Sequence, residues 1–503
     1  MSLTCRAVEV LPCEERLITL VQNFYSTESF GTSMAPIKMS EDDKSALDTL
    51  TSSIKNVGAR LELRLPWRSP RQAIPDNRAS ALQRLKCVEK RLLKDPIIAE
   101  RYTNAIEKCV MDGHARLLAT SELKGPKSGF WYLPHHYVIN PNKPSKIRVV
   151  FDGAAKFQGT SLNDHLLRGP VLLASLVGIL IRSREAKVEV SGDIEAMYNQ
   201  VRVHPDDQSV QRFLWRRPGN SEEPKVFQMQ VQVFGLVSSP TSCLYALQYA
   251  ADEYKKSKEV GKIIRESFYV DNFIDSFDTE QQAIATVQCV TEALYSGGFR
   301  LNQWVSSSRK VLARIPESER VHATLNLDLD ELPVERSLGM MWDCQRDCFQ
   351  FITQQPAAVE TKGEMLSAIA KIFDPLGFLL PVTTYAKILF QQVWKTTRQD
   401  TLLPSKKAIV KWDEPLPKKI IEKWNKWRSE LSSLKRLEVP RCLRDHRFAR
   451  DSTTFDLQMC CDASIEAFGV VCYIRMESES EIDVNFVFAK SRVAPIKDLS
   501  IPR

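Results

Sequence analysis

Two aspartates are the residues most open to a chemical reading. Asp193 closes the run Val188-Glu189-Val190-Ser191-Gly192-Asp193, which alternates like a half-buried strand. Asp271 lies 78 residues later in SFYVDNFIDSF, Ser267 to Phe277, where two apolar flanks surround the turn pair Asp271-Asn272 and predict a hairpin. Carboxylates on the ends of adjacent strands can meet and hold a divalent cation. Mg²⁺ takes one or two carboxylates together with substrate phosphates, and two such ions about 3.5–4 Å apart can clamp the attacking and leaving oxygens of a phosphoryl transfer. Taken singly, either acid would be an ordinary surface-turn aspartate, so the surrounding sequence has to decide.

The elements that would position these acids are mixed. Residues 1–60 are polar and weakly periodic. In residues 78–113, Leu82, Leu85, Val88 and Leu92 and then Ile97, Ala99, Tyr102 and Ile106 recur at helical spacing. Asp95-Pro96 breaks the pattern, because a residue before proline avoids the helical region. From Trp131 short strands take over: Trp131 to Leu133, His136 to Ile139, and Lys146 to Asp152. Asp278 or Thr279 can cap a helix lined by Ile284, Val287, Val290 and Leu294, and Gly297-Gly298 ends it. Residues 363–395 are helical, punctuated by Asp374-Pro375 and Pro381. Ile420, Trp424, Trp427, Leu431 and Leu434 mark an amphipathic helix with a Lys-rich outer face. A strand is expected from Phe455 to Asp462. Strands and helices with hairpin signals rather than parallel repeats indicate an α+β class.

The 503 residues suffice for roughly three domains at about 150 residues each, and 43% apolar and 26% charged residues suit a globular chain. The longest apolar run, Val171 to Ile181, is 11 residues, against the roughly 20 that a spanning helix needs, so no membrane partner is expected. The N-terminus lacks the basic and apolar regions of a secretory signal. Twelve cysteines without regular spacing suggest reduced thiols and an intracellular, cytoplasmic setting. The net charge is +7, yet residues 405–450 alone hold 14 Lys and Arg against six acids. Such a stripe suits a polyanion, although on charge alone a solvated helical face is the commoner explanation.

The surroundings of the two acids resemble a reverse transcriptase, and specifically the polymerase of BEL/Pao-class LTR retrotransposons. Lys146 to Gly153 (KIRVVFDG) resembles the fingers motif, and Ser161-Leu162-Asn163-Asp164 follows it. Asp193 to Val201 (DIEAMYNQV) resembles the first palm motif, Phe234 to Pro240 (FGLVSSP) the template-side motif, and Phe268 to Phe273 (FYVDNF) the Tyr-Val-Asp-Asp hairpin. Phe299 to Trp304 and Leu338-Gly339-Met340 fall where later palm strands would lie. Six motifs in order imply a right-hand polymerase with fingers, palm and thumb, preceded by a helical N-terminal segment and followed by an incomplete RNase H-like domain. The implied divisions are 1–110 for the N-terminal segment, 111–350 for fingers and palm, 351–450 for thumb and basic connection, and 451–503 for the RNase H-like part.

The resemblance implies an RNA-directed DNA polymerase that extends a primer on an RNA or DNA template with deoxynucleoside triphosphates. Asp193 and Asp271 would bind two Mg²⁺ ions, with Mn²⁺ as a substitute, and the backbone carbonyl of Ile194 would complete one shell. Lys146 and Arg148 would contact the triphosphate. Tyr198 would lie under the sugar and exclude a 2′-hydroxyl, and Phe234 would pack against the nucleotide. The helix in Gly363 to Pro381 would grip the duplex, with Lys418, Lys419, Lys423 and Lys426 beside its path.

The sequence departs from the family at the hairpin, where Asn272 replaces the second acid. Loss of one unit charge at about 4 Å is worth about 4 kcal/mol at an effective dielectric of 20, so severely reduced activity is expected; the alternative is an inactive relic that binds primer–template without extending it. Met459 to Gly469 resembles the first RNase H strand, with Asp462 as first ligand, but the remaining ligands of that family are lacking, so no RNase H activity is expected. The chain is expected to be a piece of a Pol polyprotein whose protease, complete RNase H and integrase lie elsewhere, at home in the cytoplasm and in element particles. Cys344, Cys348, Cys460 and Cys461 lack partners at zinc-ligand spacing and are expected as buried free thiols. His135-His136 is expected in a loop or strand edge, and His204-Pro205 in a turn.

Overall fold

A computed structural model describes residues 39–69, 74–124, 129–140, 143–328, 330–351, 358–395, 397–399, 407–409, 411–444, 447–448 and 450–495. The segment Phe24 to Gly31 and the C-terminal Ile501-Pro502-Arg503 lie outside the described residues, as does the side chain of Lys146.

The first core gathers helices α1 (Arg78–Leu92) and α2 (Pro96–Met111) against the hairpin of β1 (His135–Asn140) and β2 (Lys143–Phe151). Asp95 caps α2 by accepting from the amides of Ile97 and Ile98, both at 3.1 Å, and Pro96 occupies the first turn, where no amide hydrogen is needed. Asn77 fixes the start of α1: its side chain donates to the carbonyl of Tyr132 at 2.7 Å and accepts from that residue's amide at 2.8 Å. Trp131 to Leu133 therefore does not form the expected strand; it bonds to Asn77 and bridges singly to Arg212. His135 is buried at the start of β1, its ring bonded to Tyr102 and to the carbonyl of Leu214, so burial lowers its pKa to about 4.

The second core contains the two acids. Strand β3 (Val188–Ile194) is central in an antiparallel sheet of order β4-β5-β3-β6, with β4 (Phe268–Tyr269), β5 (Asn272–Phe277) and β6 (Leu301–Ser306). Helix α3 (Ser239–Glu253) and helix α4 (Glu280–Ser296) pack beside one another, and α4 crosses the sheet. Thr279 caps α4 with a reciprocal bond from Gln282, and Val287, Val290 and Leu294 are its buried face. Because β3 is covered on both sides, the half-buried alternation expected for it is replaced by near-continuous burial, with even Glu189 at 1% exposure.

A third core packs α5 (Lys362–Ala370), α6 (Leu380–Lys395) and α7 (Lys418–Glu430). Trp424 and Trp427 form its centre, and the indole of Trp427 donates to the carbonyl of Val382 on α6 at 3.0 Å. Two short strands, β7 (Cys348–Gln350) and β8 (Glu438–Pro440), pair antiparallel and bring the chain after α7 back under the second core. Strands β9 (Thr454–Ala463), β10 (Ala467–Glu477) and β11 (Ile482–Val493) form an antiparallel meander, and β11 rests on α6.

Arg441 ties these parts together. Its side chain is fully buried, forks onto both oxygens of Asp347 at 2.6 Å, and lies 2.9 Å from Glu189. It also donates to the carbonyls of Ser183, Ala186 and Lys187, the loop that leads into β3. Burial raises the Glu189 carboxyl to about 8, opposed by Arg441. Arg184 extends the network by donating to the carbonyls of Arg441 at 3.0 Å and Val487 on β11 at 3.1 Å.

Removing one member of a buried ion pair leaves an uncompensated charge and costs about 3–5 kcal/mol. Arg441→Met is expected to lower the unfolding free energy from urea titration by that amount, with probes in the sheet around β3 and in the C-terminal meander lost in one transition. Independent melting of the two would show that the network does not join them.

Candidate active site

The register of β3 brings the two acids together. Asp193 pairs with Asn272 on β5 and with Asn302 on β6. The amide of Ile194 donates to the carbonyl of Asp271 at 2.8 Å, so Asp271 sits one residue along from Asp193 at the ends of neighbouring strands. The hairpin turn itself is Val270-Asp271 rather than Asp271-Asn272, because Tyr269 and Asn272 already pair as strand residues. Val270 reaches a φ of +60° to make this turn. For a β-branched residue that conformation is strained by about 1–3 kcal/mol, and it is held by the ladder on either side.

The strand reaches this register because Gly192 precedes the acid. A β-carbon there would meet the ring of Trp304 at 2.7 Å. A bulge in β6 places both Gln303, at φ +54°, and Trp304 opposite Gly192, so the indole fills the space under the strand while Asn302 stays level with Asp193. After β3 the chain turns at Ala196, in the left-handed region at φ +47°, and this turn carries Tyr198 back toward the acids.

Arg148, Phe234 and Tyr198 complete the site. The rings of Tyr198 and Phe234 meet at a centroid distance of 4.4 Å, and the guanidinium of Arg148 lies over Phe234 at 5.0 Å. Burial raises the pKa of the Tyr198 phenol, and Asp271 and Arg148 are near enough to act on it in opposite senses. The Arg148 position is set by the backbone: the amide of Phe151 donates to the carbonyl of Phe234 at 3.0 Å. Asn163 then fastens both loops, accepting from the amide of Val237 at 3.0 Å and donating to the carbonyl of Gly235 at 3.1 Å, while its own amide donates to the carbonyl of Gly153 at 2.9 Å. Gly235 is required here, since it stands at φ +117° and a β-carbon would overlap the carbonyl of Phe151. Asn163, Asn302 and Trp304 stand within the sequence motifs and Gly192 in the strand run just before one, and the work of all four is visible only across strands.

Electrostatically, Asp271 is an anion short of solvent. Burial raises its pKa, opposed by Arg148 and by the Asn272 amide, which donates to one of its oxygens at 2.9 Å. A divalent cation would relieve that burial, and two carboxylates with a backbone carbonyl are the hard oxygen donors that such an ion takes. Asn272 contributes no charge, and its amide hydrogen is directed at an oxygen of Asp271. Among the described residues no cluster of three His, Cys, Asp or Glu side chains stands ready to hold a metal. Asp275 does not replace the missing acid: it pairs with Val190, farther down the strand, and accepts from Ser267 at 2.9 Å.

The remaining candidates lie elsewhere. Lys418, Lys419, Lys423 and Lys426 are all exposed on α7, opposite its buried Ile420, Trp424 and Trp427. Asp462 is exposed on β9, paired with Gly469, and its carboxylate accepts from the amide of Ala463 at 2.8 Å. Cys344 and Cys348 are buried free thiols as expected. Cys460 and Cys461 are not buried: β9 is an edge strand with nothing described over either face, so both thiols are exposed. Among the described residues no helix is long and apolar enough to cross a membrane.

Residues 154–304 match the reverse transcriptase (RNA-dependent DNA polymerase) family, and residues 361–503 match the Pao retrotransposon-like RNaseH-like domain. No curated protein matches the chain. Among solved structures it is similar to the foamy viral protease-reverse transcriptase dRH in complex with ds DNA, at 14% identity and a TM-score of 0.48 over 96% of this chain and 68% of that one. It is likewise similar to the foamy viral protease-reverse transcriptase in complex with RNA/DNA hybrid, at 13% identity and a TM-score of 0.47 over 97% of this chain and 53% of that one.

Gly192→Ala is expected to destabilise the protein by about 1–3 kcal/mol through overpacking. Trp304→Leu in the same chain should recover part of that loss. A double-mutant cycle in thermal unfolding measures the coupling, and a value near zero would mean that the indole does not set the β3 register.

Proposed function

We propose that this chain, a reverse transcriptase of the Pao retrotransposon class in its two matched regions, uses the Asp193–Asp271 site for template-directed nucleotidyl transfer at a rate limited by Asn272. The observation that supports this reading is the backbone bond from Ile194 to Asp271, which brings the backbones of the two acids to neighbouring strand ends, together with the Arg148–Phe234–Tyr198 cluster.

Each side chain has work that its position supports. Asp193, Asp271 and the Ile194 carbonyl would hold Mg²⁺, or Mn²⁺ in its place. When bound, the ion supplies positive charge to the phosphate oxygens on which negative charge gathers as a primer 3′-hydroxyl displaces pyrophosphate. Arg148 presents a fixed, fork-shaped cation to the triphosphate of a deoxynucleoside triphosphate, and Lys146 lies two residues before it on β2. Tyr198, braced by Phe234, offers a flat wall to the sugar that leaves no room for a 2′-hydroxyl. The protein's contribution is positional and electrostatic.

Asn272 sets the limit. Its side chain keeps the shape of an aspartate but brings no charge, and its amide ties up an oxygen of Asp271. An RNA or DNA template with its primer would lie over the site, and the exposed lysines of α7 would meet the duplex backbone without reading its sequence. The second reading, a chain that grips primer–template but does not extend it, is favoured by the same Asn272 and shares every element except turnover.

Primer extension on an RNA template separates the two. Asn272→Asp is expected to raise the rate by at least tenfold in Mg²⁺, and Asp193→Ala to abolish it. An unmodified chain as fast as Asn272→Asp would show that position 272 does not limit the reaction; no extension by either would favour the binding-only reading. Reversing the charge of Lys418, Lys419, Lys423 and Lys426 together is expected to flatten the dependence of hybrid binding on salt, by about 0.9 in log–log slope for each phosphate no longer neutralised. An unchanged slope would leave these lysines as a solvated face.

A further inference from the structure

We infer that Asn302 is a further side-chain ligand of the cation site, its amide oxygen standing on the side of Asp193 away from Asn272. This rests on the two-aspartate reading above, to which it adds a residue from a third strand.

The side-chain oxygen of Asn302 is buried and has no hydrogen-bond partner among the described residues. Buried polar atoms are nearly always bonded, because one left alone has given up water without a replacement. The sheet fixes what this oxygen faces. Asn302 on β6 pairs with Asp193 on β3, and directly opposed residues of an antiparallel pair carry their side chains on one face. Two residues along each chain, Glu195 donates its amide to the carbonyl of Arg300 at 2.9 Å and the two side chains meet at 3.9 Å, so partners on this face come within reach of one another. An ionised carboxylate only accepts hydrogen bonds, so Asp193 cannot satisfy the oxygen of Asn302, whereas a cation between them would satisfy both. Arg300 is not that cation, since its guanidinium is held by Glu195 and by Glu319 at 3.4 Å. Hard divalent cations take amide carbonyls as ligands beside carboxylates.

The bulge in β6 selects this residue. Regular alternation back from the Val305–Ser191 pair would bring Gln303 level with Asp193; the extra residue brings Asn302 there instead and leaves Gln303 exposed, at φ +54°. Asp193 is therefore flanked across the ladder by two amides, Asn272 on β5 and Asn302 on β6. They differ in what they offer. Asn272 donates its amide hydrogen to Asp271 at 2.9 Å, whereas Asn302 presents an oxygen that no donor meets. The first braces one of the acids, and the second is open to a ligand. Cation affinity rises with the number of charged oxygen ligands, so a carboxylate at position 302 should strengthen the same site that an apolar side chain there would weaken.

The test measures Mn²⁺ binding to the full chain by electron paramagnetic resonance, and thermal unfolding in EDTA, for the unmodified chain, Asn302→Leu and Asn302→Asp. Leucine keeps the size of the side chain and removes its oxygen. Asn302→Leu is expected to weaken Mn²⁺ binding by at least about tenfold, while its melting temperature in EDTA stays the same or rises because an unbonded buried oxygen has gone. Asn302→Asp is expected to bind Mn²⁺ at least about tenfold more tightly than the unmodified chain and to melt lower in EDTA, where the added charge faces Asp193. Mn²⁺ held as tightly by Asn302→Leu would show that water alone meets the oxygen, and would overturn the inference while leaving the aspartate pair standing. A lower melting temperature of Asn302→Leu in EDTA would overturn it by revealing a structural bond, and so would an Asn302→Asp chain that binds no more tightly than the unmodified one. An unmodified chain that binds no Mn²⁺ would contradict the two-aspartate site itself, and this inference with it.

Discussion

The antiparallel pairing of β3 with its two neighbours is the constraint on which the rest depends. A strand has one register in which its apolar set faces the core, and a slip of one residue would turn every side chain over. Here Gly192 against Trp304 fixes that register from below, and the Ile194 to Asp271 bond fixes it at the end where chemistry is possible. At the other end of the same strand Glu189 lies against Arg441, which also holds the three carbonyls leading into β3. The acid pair is thus supported by a strand pinned at both ends, one pin coming from residues more than 200 positions away in sequence.

The second layer of the site is built by backbone bonds and by one side chain, Asn163. Phe234 reaches Tyr198 because its carbonyl is held by Phe151, and both loops are closed by the single amide of Asn163. Three stretches that are dispersed in sequence therefore meet through four hydrogen bonds. This explains why glycine stands at 153 and 235, where a β-carbon would collide with neighbouring backbone. Asn272 stands between the two acids, paired across the ladder with Asp193 and donating its side-chain amide to Asp271 at 2.9 Å.

Much of this was legible in the sequence because local rules govern it. The break at Asp95-Pro96, the cap at Thr279, the helical periodicity of α1, α2, α4 and α7, and the strand ending in Asp193 all follow from spacing and end-signals. The order of the motifs gave the polymerase fold, which no single motif could. What was not legible depends on tertiary placement. The turn is centred on Val270-Asp271 because cross-strand pairing outweighs the turn preference of Asn, and Trp131 to Leu133 makes no regular strand where Asn77 takes both backbone hydrogen bonds of Tyr132. The exposure of Cys460 and Cys461 follows from the edge position of β9, and the Arg441 network joins residues whose charges looked like surface charges when read in line.

The central claim is that Asp193 and Asp271 act as one cation site. Mn²⁺ binding followed by electron paramagnetic resonance tests it without requiring turnover. The account predicts that the unmodified chain binds the ion, that Asp193→Asn and Asp271→Asn each abolish binding, and that the double variant is no worse than either alone. Mn²⁺ held as tightly after both substitutions would mean that the two carboxylates do not form the site.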